Sequence, residues 1–333
     1  DYSGPFDAEL HGDEGDNLIN SGIGNDYLYG GDGNDILKSG SGDDYVYGED
    51  GDDIIIQNGS GTQFYDGGTG NDTLKIDTSF VTQLNSEFPN SVTIDLVNGD
   101  MGQTNNPNLR DTFINIENVT FEGDYDVIIT GDGNDNIIKS DSGNDYLYGG
   151  DGNDILKSGS GDDYVYGDDG DDTIIQNGSG TQFYDGGEGE DTYLLDLENW
   201  PYAFADDFIG EVNLTSNFSG YHLDYNHPLN DTILNVENIT LNGDYDFIIR
   251  GDDQNNLINT DGGDDRLYGG LDKDVYVYGK GDGSDTIQDN VQTQNYLNLR
   301  EDISVEDVLV YFPDLLHLDH HLNLLFSSLY LLT

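Results

Sequence analysis

The chain has 333 residues, with 68 Asp plus Glu against 10 Lys plus Arg, a formal charge of −58. A body so charged repels itself unless cations bind, and it has no basic surface for a phosphate backbone, which excludes nucleic acid as a partner. Cysteine is absent, removing disulfide frames and thiolate metal sites, and no run of about eighteen apolar residues exists to form a transmembrane segment.

The chain starts at Asp1 with neither a Met nor a charged-then-apolar leader, and reads as a fragment of a longer protein. Acidic, glycine-rich composition ordinarily signals disorder. Regular spacing overrides that reading. From Ser21 the sequence runs SGIGNDYLY, GGDGNDILK, SGSGDDYVY, GEDGDDIII, consecutive nine-residue units with Gly fourth and Asp sixth. The series returns from Ser140, and in shorter form from Thr260 as TDGGDDRLY, GGLDKDVYV. It follows the pattern G-G-x-G-x-D-x-U-x, where U is a large apolar residue.

A longer period of about 120 residues lies over the first. The related openings GDEGDNLIN, GDGNDNIIK and GDDQNNLIN divide the chain into a first module, 1–130 with repeats from Gly12, a second, 131–250, and a partial third, 251–333, which ends in a C-terminal cap or secretion-related tail. Matching spacers, such as DTFINIENVTFEGDYDVII and DTILNVENITLNGDYDFII, alternate apolar and polar residues, as at Val92, Ile94, Leu96 and at Ile114, Ile116. That period of two predicts half-buried strands continuing the sheet stack. No helical periodicity of useful length occurs.

Each nonapeptide divides into a six-residue turn and a strand of about three residues. Glycines at the second and fourth places bring carbonyl oxygens inward, and the sixth-place Asp adds a carboxylate. This hard-oxygen environment suits calcium. Two units make one coil of about eighteen residues, so turns stack at roughly 4.8 Å with room for an ion between them. Asp26 then faces Asp44 and Asp35 faces Asp53; Asp145 pairs with Asp163 and Asp154 with Asp172.

The eighth places hold Leu28, Leu37, Val46, Ile55 and Phe64, then Leu147, Leu156, Val165, Ile174 and Phe183, all expected inside. So thin a core does not offset backbone ordering of about 1 to 2 kcal/mol per residue, so metal binding must supply folding free energy. Places seven and nine face outward. Tyr27, Tyr29, Tyr45, Tyr47 and Tyr65, with Tyr146, Tyr148, Tyr164, Tyr166 and Tyr184, are expected to line one face, and Ile36, Lys38, Ile54, Ile56 and Lys75 the other. The tyrosines either cover neighbouring backbone or form a contact surface for an extracellular polysaccharide or a second copy of the chain.

These units resemble the repeats-in-toxin (RTX), or haemolysin-type calcium-binding, repeats, from Gly12 to about Asp289. The resemblance implies an all-β, right-handed parallel β-roll with Ca2+ ions held between stacked turns by backbone carbonyls and the sixth-place Asp. It also implies type I secretion of an unfolded chain that folds outside the cell. The implied ligands are Asp26, Asp35, Asp44, Asp53 and Asp72, then Asp145, Asp154, Asp163, Asp172 and Asp191, then Asp265, Asp274 and Asp285. The module-opening units depart from the pattern by placing Asn17, Asn136 and Asn256 sixth, so weaker sites are expected there. The QNGSGTQFY units place Thr62 and Thr181 sixth, and no full site is assigned to them. The stretch ending at Val310 resembles the close of the family's arrays, whereas the glycine-free tail FPDLLHLDHHLNLLFSSLYLLT departs from it.

In that tail His317, Asp319 and His321 share a strand-face spacing that can hold zinc, although a polar strand face with incidental histidines explains them as well. Leu316, Leu318, Leu322 and Leu324 on the other face suit an end-cap. HExxH and GxSxG do not occur, and calcium ligation accounts for the abundant carboxylate pairs, so no catalytic residue is assigned and the chain reads as non-enzymatic. The functional expectation is a calcium-binding structural or adhesive segment of a large secreted bacterial surface protein, at the cell surface or in the medium. The alternatives are the export and folding module of a secreted metalloprotease, lipase or alginate epimerase, and a self-assembling filament or surface-layer subunit.

Overall fold

The protein is described from a computed structural model covering residues 4–78, 92–103, 106–198, 209–221, 230–289, 295–300, 323–324 and 329–330. Among the described residues it is all-β, with no α-helix, and its strands stack in parallel as a β-roll. Two compact units, 1–169 and 170–333, divide the chain inside the second sequence module.

The first unit contains β1 (Glu9–His11), β2 (Leu18–Asn20), β3 (Tyr27–Asp32), β4 (Ile36–Lys38), β5 (Tyr45–Asp50), β6 (Ile54–Gln57), β7 (Phe64–Thr69) and β8 (Thr73–Asp77). The spacer adds β9 (Val92–Asp95), β10 (Asp100–Gln103), β11 (Asn106–Ile114), β12 (Asn118–Glu122) and β13 (Val127–Thr130). The next coils give β14 (Ile137–Lys139), β15 (Tyr146–Asp151), β16 (Ile155–Lys157) and β17 (Tyr164–Asp169). One sheet runs β2-β4-β6-β8-β12-β14-β16, parallel throughout. The other runs β1-β3-β5-β7-β11-β10-β9-β13-β15-β17, parallel except where β10 pairs antiparallel with both β9 and β11. The spacer therefore gives this sheet four strands, three of them interposed between β7 and β13, while contributing one strand to the sheet opposite.

The second unit repeats the scheme with β18 (Thr173–Gln176), β19 (Phe183–Glu188), β20 (Thr192–Asp196), β21 (Gly210–Asn213), β22 (Phe218–Tyr221), β23 (Asn230–Leu234), β24 (Asn238–Asn242) and β25 (Phe247–Arg250). It continues through β26 (Leu257–Asn259), β27 (Arg266–Tyr268), β28 (Val275–Tyr278), β29 (Thr286–Ile287), β30 (Asn295–Leu299), β31 (Asn323–Leu324) and β32 (Leu329–Tyr330). Its sheets are β19-β23-β22-β21-β25-β27-β29-β32 and β18-β20-β24-β26-β28-β30-β31. Each sheet of this unit ends on an antiparallel strand from the tail, β32 on β29 and β31 on β30. His317, Asp319 and His321, with Leu316, Leu318 and Leu322, lie outside the described residues.

Alternation explains the burial. Leu28, Leu37, Val46, Ile55, Leu147, Leu156 and Val165 have no exposed surface, and Ile174 has 1%. Strands of one sheet are longer than the nonapeptide predicts, because the ladder continues through the first Gly pair, with Gly31 opposite Glu49 and Asp32 opposite Asp50.

The register of the QNGSGTQFY units differs from expectation. Phe64 and Phe183 are half-exposed, whereas Tyr65 and Tyr184, expected outside, are completely buried. The reason is one extra residue. Coils before it pair at a spacing of 18, as Asp26 with Asp44 do, and the coil across it pairs Asp53 with Asp72 at 19. Phe64 thus falls opposite Tyr45 and Tyr65 opposite Val46, in the inward column. Ile56, expected outside, is also buried, lying between Lys38 and Lys75 in the ladder.

Tyr65→Ala should lower the stability of calcium-loaded protein by about 3 to 5 kcal/mol, as expected for emptying a buried aromatic site, and Phe64→Ala by clearly less. Urea midpoints of the two variants check this register. The reverse order would restore the uninterrupted nine-residue count.

Candidate functional site

The turns stack along the two edges between the sheets, and their acidic residues occupy equivalent places. Asp26, Asp44, Asp72, Asp145, Asp163 and Asp274 are fully buried, and Asp35, Asp53, Asp154, Asp172, Asp191, Asp265 and Asp285 are 1% exposed. One oxygen of each carboxylate has a fixed task. Asp44 Oδ1 accepts the N–H of Asp26 at 2.8 Å, Asp53 Oδ1 that of Asp35 at 2.7 Å, and Asp72 Oδ1 that of Asp53 at 2.8 Å. Asp163 takes the Asp145 N–H at 3.0 Å, Asp191 the Asp172 N–H at 2.8 Å, and Asp285 the Asp265 N–H at 3.0 Å. Each bond satisfies a buried backbone donor that has no strand partner.

The second oxygen is different. Oδ2 of Asp26, Asp35, Asp53, Asp72, Asp191 and Asp285 is buried with no hydrogen-bond partner, whereas a side-chain hydroxyl lies against the carboxylates of Asp44 (Ser39), Asp145 (Ser140), Asp163 (Ser158) and Asp265 (Thr260), and Asp289 lies against Asp274. On the edge that carries Asp35, Asp53 and Asp72, backbone oxygens lie beside Oδ2 in space that only glycine leaves. A Cβ on Gly30 would stand 2.3 Å from Asp35 Oδ2 and 2.5 Å from the Gly48 carbonyl oxygen. On Gly48 it would stand 2.2 Å from both Asp53 Oδ2 and the Gly67 carbonyl oxygen.

Burial disfavours such charges. It pushes Asp44, Asp53, Asp145 and Asp154 up to about 6, and Asp72, Asp163, Asp191 and Asp285 up to about 7. Asp265 is pushed up to about 8 by burial and then by the Asp285 carboxylate. A carboxylate and several carbonyls per place, with no soft donor, fit a calcium ion, which takes six to eight oxygens at about 2.3 to 2.6 Å. Among the described residues no three His, Asp or Glu side chains converge on one point, as they would in a site built from side chains alone.

The family model for the RTX calcium-binding nonapeptide repeat matches residues 2–37, 29–56, 58–75, 140–174 and 248–276. The coils are RTX calcium-binding repeats. A search of curated proteins found no match to the chain.

Within the RTX coils the structure places several residues that the repeat pattern misses. Gln63, not Thr62, takes the sixth place of the ten-residue unit: it is buried, and its Nε2 donates to the Gly42 carbonyl at 2.9 Å. Gln182 replaces Thr181 in the same way. The next carboxylates on that edge come from the spacers, since Asp111 Oδ1 accepts the Gln63 N–H at 2.9 Å and Asp231 Oδ1 the Gln182 N–H at 3.0 Å. On the opposite edge Glu117 accepts the Asp72 N–H at 2.8 Å and Glu237 the Asp191 N–H at 2.9 Å. The sequence signal is the recurrence of Asp with Glu six residues later in DTFINIEN and DTILNVEN. In the last coil a side chain supplies the cation: the Arg300 guanidinium donates to Asp282 Oδ1 at 3.2 Å, Asn259 Oδ1 at 2.8 Å and the Thr260 carbonyl at 3.2 Å.

Tyr27 stacks on Tyr45 with ring centroids 5.0 Å apart, Tyr29 on Tyr47 at 5.1 Å, Tyr146 on Tyr164 at 4.8 Å and Tyr148 on Tyr166 at 5.1 Å. Each ladder covers ring faces with ring faces and leaves edges and hydroxyl groups outward.

Asp44→Ala strands the buried Asp26 N–H, a loss of about 1 to 3 kcal/mol from the hydrogen bond alone, and removes a carboxylate that fits a calcium ion. It should shift the calcium midpoint for folding upward, while exposed Asp141→Ala should not, as calcium titrations followed by circular dichroism would show.

A pH dependence follows as well. The folded values of about 6 to 8 lie above the unfolded value of 3.8, so in chelator the folded chain binds protons that the unfolded chain releases. Stability in chelator should therefore rise as pH falls from about 8 towards 4, while calcium affinity falls over the same window because the ion needs the carboxylate form. Chelated protein that gains no β signal on acidification through that range would contradict this.

Proposed function

We propose that the chain is a calcium-loaded structural or adhesive segment of a large secreted bacterial surface protein, folding when it meets calcium outside the cell. The ions are held by Asp26, Asp35, Asp44, Asp53, Asp72, Asp145, Asp154, Asp163, Asp172, Asp191, Asp265, Asp274 and Asp285. The observation that carries this reading is the row of buried Oδ2 atoms with no hydrogen-bond partner, those of Asp35, Asp53 and Asp72 beside carbonyl oxygens of the stacked turns. As carboxylates such atoms call for a cation, so at neutral pH a chain of charge −58 coheres where calcium is plentiful and remains extended where it is scarce.

Recurrence of the module supports a body lengthened by duplication, since each coil of a solenoid contacts only its neighbours. Among the described residues no helix is long and apolar enough to cross a membrane. The face-to-face tyrosine ladders support a part in holding neighbouring coils together; a polysaccharide or a second copy meeting that surface would touch tyrosine edges and hydroxyls.

Circular dichroism and gel filtration of the whole chain test the proposal. Excess chelator should give an expanded chain with weak β signal, and calcium a compact β-rich one. Magnesium should substitute poorly, because it demands tight octahedral geometry and keeps its waters. A full β signal in chelator, unchanged by calcium, would sink the metal-dependent reading.

A further inference from the structure

The turns that open the three sequence modules have a hydrogen-bond pattern of their own. In Asp13–Asn17, Asp132–Asn136 and Asp252–Asn256 the sixth-place residue is Asn and the second-place residue is Asp, where the pattern asks for Asp and Gly. Asn17 Oδ1 accepts the Asp13 N–H at 2.7 Å, and Asn136 and Asn256 accept those of Asp132 and Asp252 at 2.9 Å. The second-place carboxylate then accepts from the turn in its stead: Asp13 Oδ1 takes the Gly15 N–H at 3.1 Å, Asp132 the Asn134 N–H at 2.9 Å, and Asp252 the Gln254 N–H at 2.8 Å. The Asn amide closes the loop by donating to the same carboxylate, at 3.2 Å from Asn17 and 3.3 Å from Asn136 and Asn256. It also reaches one coil back, from Asn136 to the Glu117 carbonyl and from Asn256 to the Glu237 carbonyl, both at 2.8 Å.

The Asn oxygen occupies the same place in its turn as Oδ2 does in the others. A Cβ on Gly131 would lie 2.5 Å from Asn136 Oδ1 and beside the Gly149 carbonyl, just as one on Gly149 would lie beside Asp154 Oδ2 and the Gly167 carbonyl. The backbone separates the two classes. On this edge the second place before Asp35, Asp53, Asp72, Asp154, Asp172, Asp191 and Asp274 always has positive φ, including non-glycine Glu49 at 80° and Asp168 at 74°. Asp13, Asp132 and Asp252 do not. With that flip absent, the second-place N–H points at the oxygen that would otherwise face a cation.

We propose that the Asp-x-x-x-Asn turns exclude calcium and close themselves with protein hydrogen bonds, so that each module begins on a metal-independent rung. Asn136 and Asp132 are then specificity-determining residues: a neutral oxygen that already accepts an N–H offers an ion no charge and a single remaining lone pair. The proposal rests on calcium being the ion held by the other turns.

The test counts bound calcium per molecule in the whole chain, by equilibrium dialysis, for wild type, Asn136→Ala, Asp154→Ala and the double variant Asp132→Gly/Asn136→Asp, with folding followed by circular dichroism. Asn136→Ala should bind as many ions as wild type, Asp154→Ala fewer, and the double variant one more. Loss of an ion from Asn136→Ala would make Asn136 a neutral ligand and overturn the proposal, as would a double variant that folds and gains none. Should Asn136→Ala fail to fold, the double variant decides alone, because it restores the pattern of turns that fold with calcium. A wild type that binds no calcium would instead refute the underlying reading of the whole row of turns.

Discussion

A carboxylate taken out of water, with one oxygen bound to a backbone N–H and the other left without a donor, calls for a cation or a proton. The coils are built around that requirement. Oδ1 of one Asp fastens the backbone of the preceding coil, so the residue that calls for the ion also sets the stacking of the turns. Removing the charge therefore loosens the backbone as well as the ion. On the proposed reading, folding and metal binding become a single equilibrium for a chain with so little interior per coil and so much negative charge.

The spacers solve the same problem by other means. There the two sheets enclose larger side chains, with Met101, Phe113 and Phe121 all buried, and the edge positions pass to Asp111, Glu117, Asp231 and Glu237. At the last coil Arg300 brings a positive charge of its own to Asp282. On the proposed reading, stability alternates along the chain between coils that depend on an external ion and stretches held by apolar burial or internal charge.

The sequence was most informative where the spacing was strict. Gly fourth and Asp sixth in successive nines located the acidic edges and the inward Leu28, Leu37, Val46 and Ile55, because a coil of two such units can stack in only one register. The ten-residue unit broke that inference. One added residue moved Gln63 into the sixth place and Tyr65 into the core, and a count by nines cannot register an insertion that leaves the composition unchanged. Asp111 and Glu117 were invisible for another reason: the N–H groups they accept belong to residues 48 and 45 positions earlier, and only the folded path of the spacer brings them together. The Asn-bearing turns were recognised as different, but why they differ lies in backbone φ angles and hydrogen bonds that residue identity alone does not reveal.

The hairpin in each spacer also has a geometric consequence. Between β7 and β13 one sheet of the first unit interposes three strands, while between β8 and β14 the other interposes one, and β19 to β25 against β20 to β26 repeats the imbalance in the second unit. At about 4.8 Å per strand, one side of the layered ribbon is longer by roughly 10 Å. A two-layer ribbon with unequal sides must curve away from the longer side or swell between its layers, and the large buried side chains of the spacer lie where the swelling would be. Each unit thus carries a wedge whose position is written into the length of the spacer, so inserting or deleting a hairpin there would change curvature while leaving the ion-bearing turns on either side intact.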